Sequence, residues 1–468
     1  MPDFLRDLAA SLSVGSLIAD PAEMAPYCID WRGRETGRAR AVVRPDSVEA
    51  VAGVVRACAQ AGVPVFPQGG NTGLCYGAVP ADDGIVISLG RMSRIRSVNR
   101  SDNSLICDAG VLLANVHQAA RQVGRQFPLH LGSEGTAQIG GLISTNAGGT
   151  GVLRYGPMRD LVLGLEVVLA DGRLWQGLST LRKDNTAYDL KHLFIGAEGT
   201  LGIITGAALK LLPAVRARAD AWVAVDTPMA ALELLGLCQD VFDTRIQAFE
   251  LLSRSEVDIT VATVPGARTP LSSPSAWSVL IELGDTDAQA PLNERLEEIL
   301  AGAMESGVVR DAVVAQSMSQ AASFWHLRHS VSEANKRHGI SHTHDVAVPV
   351  SAVPAFIAAA DAMLSASFPT AQSVIVAHLG DGNVHYIAMF SREAWAGIEN
   401  PAQSVEDLQT AVHDIAARLG GSFSAEHGVG RKLVGEMARL TSPIELELLR
   451  SIKSTFDPTN HLNAGVLF

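Results

Sequence analysis

The spacing of apolar residues predicts alternating helices and strands in the first part of the chain. In residues 45–62 apolar side chains recur at helical spacing, Asp46 or Ser47 can cap the start, and Gly62 stands where a helix ends. The apolar run 63–66 predicts a strand directly after this helix. A further strand is predicted at 84–89 and a further helix at 112–123. The pattern is typical of an α+β domain.

A tight turn marks the middle of this domain. The apolar run 161–170 is followed by Asp171-Gly172, a strong signal for a two-residue hairpin turn, and then by a short strand at 173–176. Later strands are predicted at 201–205, 209–212, 222–225, 277–283, 374–377 and 384–390, and later helices at 229–241, 292–305 and 324–334.

These elements fall into two lobes and a tail. The segment 213–220 begins with a proline that ends a strand, so it is the predicted domain boundary. We therefore expect a two-lobed α+β protein with domains at 1–213 and 214–410 and a C-terminal helical segment at 411–468 that packs back on the first domain.

Length, composition and charge narrow the class of protein. The chain has 468 residues, of which 47% are hydrophobic and 18% charged, so more than one hydrophobic core is expected. Its net charge of −12 has no basic block, which argues against nucleic acid as a partner. The N-terminal segment does not look like a signal peptide, and no uninterrupted apolar run reaches the ~18 residues of a membrane-spanning helix.

The five cysteines are far apart and form no Cys-x-x-Cys motif, which argues against an iron–sulfur cluster or a cysteine-bound zinc. Their odd number indicates reduced thiols and a cytoplasmic location.

Three glycine-rich segments, 67–74, 128–155 and 194–204, are the main candidates for a binding site. Backbone with few side chains can be approached closely, and its N–H groups suit an anionic, extended ligand. None of the segments matches the dinucleotide-binding fingerprint or the P-loop. The alternative is a mobile surface loop, but Leu142 and Ile143 in the middle of the longest segment are residues that flexible linkers lack.

Histidines near the C-terminal third are candidates for metal binding and catalysis. His378 and His385 flank a predicted turn, which would place them on one face of two antiparallel strands, and Glu426 is the best third ligand. The alternative is that the histidines simply end two strands. His427, beside Glu426, is either a general base or a structural histidine, and Arg328 either binds a carboxylate or lies at the surface.

Five motifs in fixed order carry a family resemblance that extends from about residue 42 to 465: the three glycine-rich segments, the segment 378–385 (His-Leu-Gly-Asp-Gly-Asn-Val-His) and the segment 426–430 (Glu-His-Gly-Val-Gly). The chain resembles the FAD-dependent D-2-hydroxyacid dehydrogenases of the vanillyl-alcohol oxidase and p-cresol methylhydroxylase flavoprotein family. The branch it resembles most is that of D-2-hydroxyglutarate and D-lactate dehydrogenases. The resemblance implies a p-cresol methylhydroxylase-type FAD domain followed by an α/β substrate domain.

The resemblance implies non-covalent FAD, with its pyrophosphate on the loop 69–74 and its isoalloxazine near 133–146 and 198–204. The implied FAD-binding residues are Pro67, Gln68, Gly69, Gly70, Asn71, Thr72, Gly73, Leu74, Leu131, Gly132, Ser133, Gly135, Thr136, Gly140, Gly141, Ser144, Asn146, Gly149, Glu198, Gly199, Gly202, Ile203, Ile204 and Asn463.

The resemblance also implies a reaction. A divalent metal, with zinc favoured, would be held by His378, His385 and Glu426, and His427 would take the hydroxyl proton of a D-2-hydroxy acid. The implied substrate-binding residues are Arg328, Ser332, Thr343 and Asn383. Hydride would pass to flavin N5 and then, as electrons, to an external acceptor such as an electron-transfer flavoprotein or a quinone.

Two departures from the family pattern affect the choice of substrate. Thr343 stands where many relatives have a lysine that holds the distal carboxylate of 2-hydroxyglutarate, and the C-terminal Asn463-Ala464-Gly465-Val466 replaces the usual Asn-Pro-Gly-Lys. D-2-hydroxyglutarate remains the leading substrate, with D-lactate or another monocarboxylate as the alternative.

Three other classes stay open: a flavin oxidase that uses O₂, a metal-dependent hydrolase and a non-catalytic flavin-binding subunit. The oligomeric state is also open, with a homodimer as one option.

Overall fold

The computed structural model describes residues 2–81 and 83–468. The predicted first domain begins at residue 1, which, like Asp82, lies outside the described residues. The helices in chain order are α1 Pro2–Ala10, α2 Pro21–Cys28, α3 Val48–Ala61, α4 Leu113–Gln122, α5 Ile139–Ser144, α6 Val152–Tyr155, α7 Met158–Leu161, α8 Lys191–Phe194, α9 Pro228–Phe242, α10 Arg254–Thr263, α11 Leu292–Glu305, α12 Met318–His329, α13 Val331–His338, α14 Val353–Ser367, α15 Arg392–Ala396, α16 Pro401–Arg418, α17 Val434–Leu440 and α18 Pro443–Phe456.

The strands alternate with these helices. They are β1 Leu17–Ile18, β2 Ala39–Val43, β3 Val65–Gln68, β4 Gly84–Ser88, β5 Ile95–Asn99, β6 Ser104–Asp108, β7 Arg125–Gln126, β8 Val162–Val168, β9 Leu174–Gly177, β10 Ile203–Lys210, β11 Leu212–Pro213, β12 Ala217–Val225, β13 Ile246–Ser253, β14 Trp277–Asp285, β15 Asp311–Val314, β16 Ile340–Ala347, β17 Ala371–His378 and β18 Asn383–Phe390. The mixture of helix and strand confirms the predicted α+β class.

The chain divides into two compact units. The first comprises residues 1–149, 156–214 and 426–468, and the second comprises 150–155 and 215–425. The predicted boundary at 410/411 falls inside α16, because the buried face of that helix, with Leu408 and Val412, belongs to the core of the second unit. The short helix α6 also belongs to the second unit, where Arg154 Nη1 donates to Gly284 O over 2.6 Å.

Two main sheets form the first unit. A four-stranded sheet has the order β1-β2-β4-β3, and a five-stranded sheet has the order β5-β6-β10-β8-β9. Helix α3 leads into β3 as the apolar pattern predicts: Ser47 caps it by accepting from Ala50 N, and Gly62 ends it at φ +63°. The β8–β9 hairpin is confirmed, with Gly172 in the turn at φ +79°.

The second unit is built on a seven-stranded antiparallel sheet. Its order is β15-β12-β14-β13-β17-β18-β16. Apolar side chains from α9, α11, α14 and α16 pack on one face, and those from α10, α12 and α13 pack on the other. The single helix expected at 324–334 is two helices, since the first ends at His329 with Ser330 as its C-cap and a new one begins at Val331.

One stretch of the second unit has the length and composition of a membrane-spanning helix. It covers Val350–Ser367, with a mean hydropathy of 1.5, and Asp361 interrupts it. Val353, Phe356 and Ile357 from this stretch are part of the core on the sheet. A buried core helix passes the same test of length and composition.

Candidate active site

The three glycine-rich segments meet in one cleft of the first unit. The predicted residues that line this cleft are Pro67, Gln68, Gly69, Gly70, Asn71, Thr72, Gly73, Gly140, Gly141, Ser144, Glu198, Gly199, Gly202, Ile203, Ile204, His427 and Asn463. Glycine is required by close approach at Gly70, where an added Cβ would lie 2.1 Å from Thr136 O. Seven of these lining residues are glycines, so a ligand can approach the backbone closely, which suits an extended ligand with a pyrophosphate.

Eight of the residues implied to bind FAD do not line the cleft: Leu74, Leu131, Gly132, Ser133, Gly135, Thr136, Asn146 and Gly149. Two of them have a local structural role instead. Asn146 Oδ1 accepts from Arg159 N over 2.9 Å, and an added Cβ on Gly149 would lie 2.0 Å from His130 O. Glycine and polar residues in this segment thus serve chain packing as well as ligand access.

The cleft has further lining residues that were not among those implied to bind FAD: Cys75, Gly77, Ala78 and Leu89, and, within the predicted segment 128–155, Ala137, Gln138, Leu142 and Thr145. Gln138 has a buried side-chain oxygen, Oε1, with no hydrogen-bond partner among the described residues. A buried acceptor in this position needs a donor from a ligand or water. This unpartnered atom and the glycine-rich walls fit a flavin dinucleotide.

Glu198 fixes the loop that carries His427. Its carboxylate accepts hydrogen bonds from Val429 N at 2.8 Å and from Gly430 N at 3.0 Å. Burial raises the pKa of Glu198, and the two backbone N–H groups offset part of that effect. Glu198 was predicted to bind the cofactor; its carboxylate holds the segment that follows His427.

His378 and His385 lie diagonally across β17 and β18 in the second unit. The register pairs His378 with Asn383 and Val376 with His385, so the two histidines share one face of the sheet. Their ring centroids are 5.4 Å apart, and their ligand atoms lie within 4.8 Å of each other. This is the arrangement that the predicted turn implies, and it suits two nitrogen ligands of one cation.

Glu250 on β13 is a site residue that the sequence reasoning missed. It is 1% exposed, and its carboxylate accepts from His378 Nδ1 and from Arg328 Nε, each over 2.6 Å. Burial alone would raise the pKa of Glu250, but Arg328 and His378 lower it to about 2. A carboxylate in the middle of the apolar run Ile246–Ser253 was the available signal.

The hydrogen bond to Glu250 sets the tautomer of His378. Because a carboxylate accepts, Nδ1 carries the hydrogen, and Nε2 keeps the lone pair that a metal ligand needs. Arg328 Nη2 lies 3.4 Å from this Nε2 and donates to the same lone pair, so a metal ion at Nε2 would take the place of this hydrogen bond. Glu250 thus holds Arg328 next to His378. Arg328 is buried and does not lie at the surface.

The other predicted substrate residues lie on different elements of the second unit. Asn383 donates to Asp345 Oδ1 over 2.8 Å, and its own Oδ1 is buried with no partner among the described residues. Thr343 lies on the edge strand β16, opposite Ile387 and on the same face as Asp345 and His385. Ser332, near the start of α13, is exposed.

Glu426 begins the last segment of the first unit, directly after Ala425 of the second. Ala425 N donates to Asp345 O over 3.2 Å, and Asp345 is the cross-strand partner of His385. His385 Nδ1 lies 3.6 Å from Asp345 Oδ1. Ala425, the residue before Glu426, is therefore held next to the cross-strand partner of His385.

Two family descriptions match this chain. Residues 39–177 match an FAD binding domain, and residues 215–467 match the description "FAD linked oxidases, C-terminal domain". Among solved structures, p-cresol methylhydroxylase superposes with a TM-score of 0.78 at 16% identity, over 99% of this chain and 96% of that one. An alkyldihydroxyacetonephosphate synthase superposes with a TM-score of 0.76 at 17% identity, over 99% and 84%. These likenesses define the fold.

Curated relatives are similar along nearly the whole chain. A D-2-hydroxyglutarate dehydrogenase of Xanthomonas citri is 36% identical over 97% of this chain and 94% of its own length. A probable mitochondrial D-2-hydroxyglutarate dehydrogenase of Oryza sativa subsp. indica is 35% identical over 97% and 79%. The chain therefore belongs to the FAD-linked oxidases, as the sequence motifs implied. It is an enzyme of the oxidoreductase class, with FAD as its cofactor.

Proposed function

We propose that the enzyme oxidises a D-2-hydroxy acid to the 2-oxo acid, with D-2-hydroxyglutarate as the leading substrate. The observation that carries the proposal is the buried group Glu250, Arg328 and His378. A guanidinium beside an oriented imidazole suits a substrate that carries a carboxylate next to a hydroxyl. The names of these relatives, both D-2-hydroxyglutarate dehydrogenases, support the same choice.

The residues of this chain have separate roles in the proposal. Arg328 binds the carboxylate at C1, and Asn383 Oδ1, a buried acceptor, accepts from the hydroxyl or from a bound water. His427 takes the hydroxyl proton as general base. When bound, FAD supplies the acceptor for the hydride from the substrate carbon.

A divalent metal, with zinc favoured, is part of the proposal. His378 offers Nε2, His385 lies beside it, and Glu426 follows a residue tied to Asp345. Two imidazoles and one carboxylate form a ligand set that leaves a coordination position for a substrate. The metal would act as a Lewis acid, which lowers the pKa of a bound hydroxyl.

The electron acceptor is an external molecule in this proposal, an electron-transfer flavoprotein or a quinone. A relative from Saccharomyces cerevisiae, 32% identical over 95% of this chain and 89% of its own length, is named a D-2-hydroxyglutarate–pyruvate transhydrogenase. That name favours a second candidate, in which a 2-oxo acid such as pyruvate takes the electrons.

An anaerobic titration tests the proposal. The flavin absorbance of the purified enzyme is followed while D- and L-2-hydroxyglutarate, D-lactate and longer D-2-hydroxy acids are added in turn. We expect rapid bleaching by a D-2-hydroxy acid and none by its L-isomer. Protein that carries FAD and is bleached by no member of the panel would refute the proposed substrate class.

Adding each candidate electron acceptor to the reduced enzyme then distinguishes a dehydrogenase from an oxidase and from a transhydrogenase. Stoichiometric hydrogen peroxide on adding oxygen would identify an oxidase, whereas reoxidation by pyruvate would identify a transhydrogenase. Activity that survives complete removal of divalent metal by a chelator would contradict the metal assignment, with FAD content measured in the same sample.

A further inference from the structure

A group of side chains of the types that bind metals lies in the first unit, apart from the residues that line the cleft. It consists of His117 on α4 and of His130 and Glu134 in the loop between β7 and α5. One ligand atom from each side chain lies within 4.8 Å of the others. Two imidazoles and one carboxylate are a ligand set suited to zinc and related divalent cations.

The tautomer of His117 is fixed in the form that a metal needs. Its Nε2 lies 2.9 Å from Leu129 O, and because a carbonyl only accepts, Nε2 carries the hydrogen. In a neutral ring Nδ1 then presents a lone pair to Glu134 Oε2 at 3.4 Å. A metal-bound histidine regularly donates its other N–H to a backbone carbonyl in this way.

The distance between these two atoms matches the spacing of two ligands of one cation. A hydrogen bond from nitrogen to oxygen is about 2.7–3.2 Å long. Two ligand atoms of a tetrahedral zinc site are about 3.3–3.5 Å apart, given metal–ligand bonds of about 2.0–2.2 Å. The 3.4 Å between His117 Nδ1 and Glu134 Oε2 falls in the second range.

His130 is the adjustable member of the group. Its Nδ1 is 2.8 Å from Glu134 Oε1, so a cation would have to open this hydrogen bond by about half an ångström. The side chain of His130 is 49% exposed and that of Glu134 34%, whereas that of His117 is 5% exposed. An ion can therefore enter from solvent and meet one ligand that is already fixed.

We propose that His117, His130 and Glu134 bind a divalent cation of the zinc class, separate from the active site, which clamps α4 to the loop that leads into the FAD cleft. The same two parts of the chain are joined by backbone hydrogen bonds, from Ala114 N to Glu134 O at 3.1 Å and from Leu113 N to Ala137 O at 3.0 Å. Ala137 lines the cleft. The ion stabilises this loop and takes no part in the reaction.

Metal stoichiometry tests the proposal. The FAD-loaded enzyme is stripped with a chelator, dialysed and titrated with zinc, and bound metal is measured by mass spectrometry. We expect His130→Ala and Glu134→Gln each to bind one equivalent fewer than the wild type while keeping full FAD content. Because only the difference is counted, the result is independent of any metal at His378 and His385.

The matched control is His192→Ala. His192 is a histidine of the same unit with a 39% exposed side chain, paired with Asp189 over 3.4 Å, and it should keep the wild-type stoichiometry. Zinc should also raise the Tm of the wild type more than that of His130→Ala. Equal zinc stoichiometry in the wild type and in folded His130→Ala overturns the proposal.

A second measurement uses the wild type alone. Crystals grown with zinc are measured at the zinc absorption edge, and an anomalous peak is expected about 2.0–2.2 Å from His117 Nδ1 and Glu134 Oε2. Absence of a peak at these side chains overturns the proposal even if every variant fails to fold.

Discussion

His378 donates to Glu250 over 2.6 Å, and this single contact both orients the imidazole and ties it to Arg328 through the second oxygen of the same carboxylate. The contact links β17 to the neighbouring strand β13, where Glu250 is the direct register partner of His378. A metal ligand and a substrate-binding cation therefore share one fixed support.

Replacing Glu250 with Gln should disturb both functions at once. The amide cannot accept through both of its ends, so either His378 or Arg328 loses its acceptor. We expect divalent metal affinity to fall about 10–100-fold, the usual range for an outer partner of a metal-bound histidine, and KM for the hydroxy acid to rise. FAD content should be unchanged, since the cleft lies in the other unit.

Glu256→Gln is the matched control for this experiment. Glu256 is another buried glutamate of the same unit, hydrogen-bonded by Asn335 at 2.8 Å and Thr260 at 3.1 Å. Metal affinity should stay at the wild-type value in the control, and KM should change less than in Glu250→Gln, because Glu256 acts on Arg328 only through space. Wild-type metal affinity and KM in Glu250→Gln would show that the contact does not support the site.

His427→Asn tests the general base. The rate of flavin reduction under anaerobic single-turnover conditions should fall about 10²–10⁴-fold, while substrate still binds. FAD should remain bound, because the cleft is lined by three glycine-rich segments besides His427. His338→Asn, at an exposed histidine, serves as the control. An unchanged reduction rate would remove His427 from the mechanism.

Local pattern was enough to predict the histidine pair. His378 and His385 are joined by one short turn, so their relative placement follows from strand geometry alone. The α3 helix and the β8–β9 hairpin were predictable for the same reason: cap, turn and apolar spacing all act within a few residues.

Long-range pairing was not predictable. Glu250 lies 128 positions from His378, and every residue of its strand is buried, so β13 has no alternating pattern from which a register could be read. The extent of the second unit was missed for a related reason. The amphipathic pattern of α16 predicts a helix but does not say which core its apolar face covers.

Glu256 should make stability depend on pH. Burial raises its pKa to about 7, while the hydrogen bonds from Asn335 and Thr260 act in the opposite direction. The folded state therefore holds the proton to higher pH than the unfolded state, where a glutamate titrates near about 4.3. The contribution of this group to stability falls as pH rises from about 4 to 7 and is level above that range.

Glu256→Gln should remove this dependence. The free energy of unfolding of the variant, relative to that of the wild type, should rise by on the order of 2–3 kcal/mol between pH 5 and pH 8. Urea unfolding at the two pH values measures it, with exposed Glu333→Gln as the control. A difference that does not grow between pH 5 and pH 8 would contradict the raised pKa.

Thr343→Lys tests which end of the substrate decides specificity. Thr343 lies one same-face step along β16 from Asp345, which is paired with His385. A second carboxylate buried without a cation carries a desolvation cost of several kcal/mol, so a diacid needs a basic partner near its distal end. The added ammonium should raise kcat/KM for D-2-hydroxyglutarate relative to D-lactate.

Ser341→Lys is the control for position. Ser341 is on the same strand and the same face, two residues and about 7 Å further from Asp345. The variant Ser341→Lys adds the same charge as Thr343→Lys, so a general electrostatic attraction of a diacid should appear in both variants. A contact with the distal carboxylate should appear only in Thr343→Lys. If the specificity ratio is unchanged in Thr343→Lys, or rises equally in Ser341→Lys, position 343 does not contact the distal carboxylate.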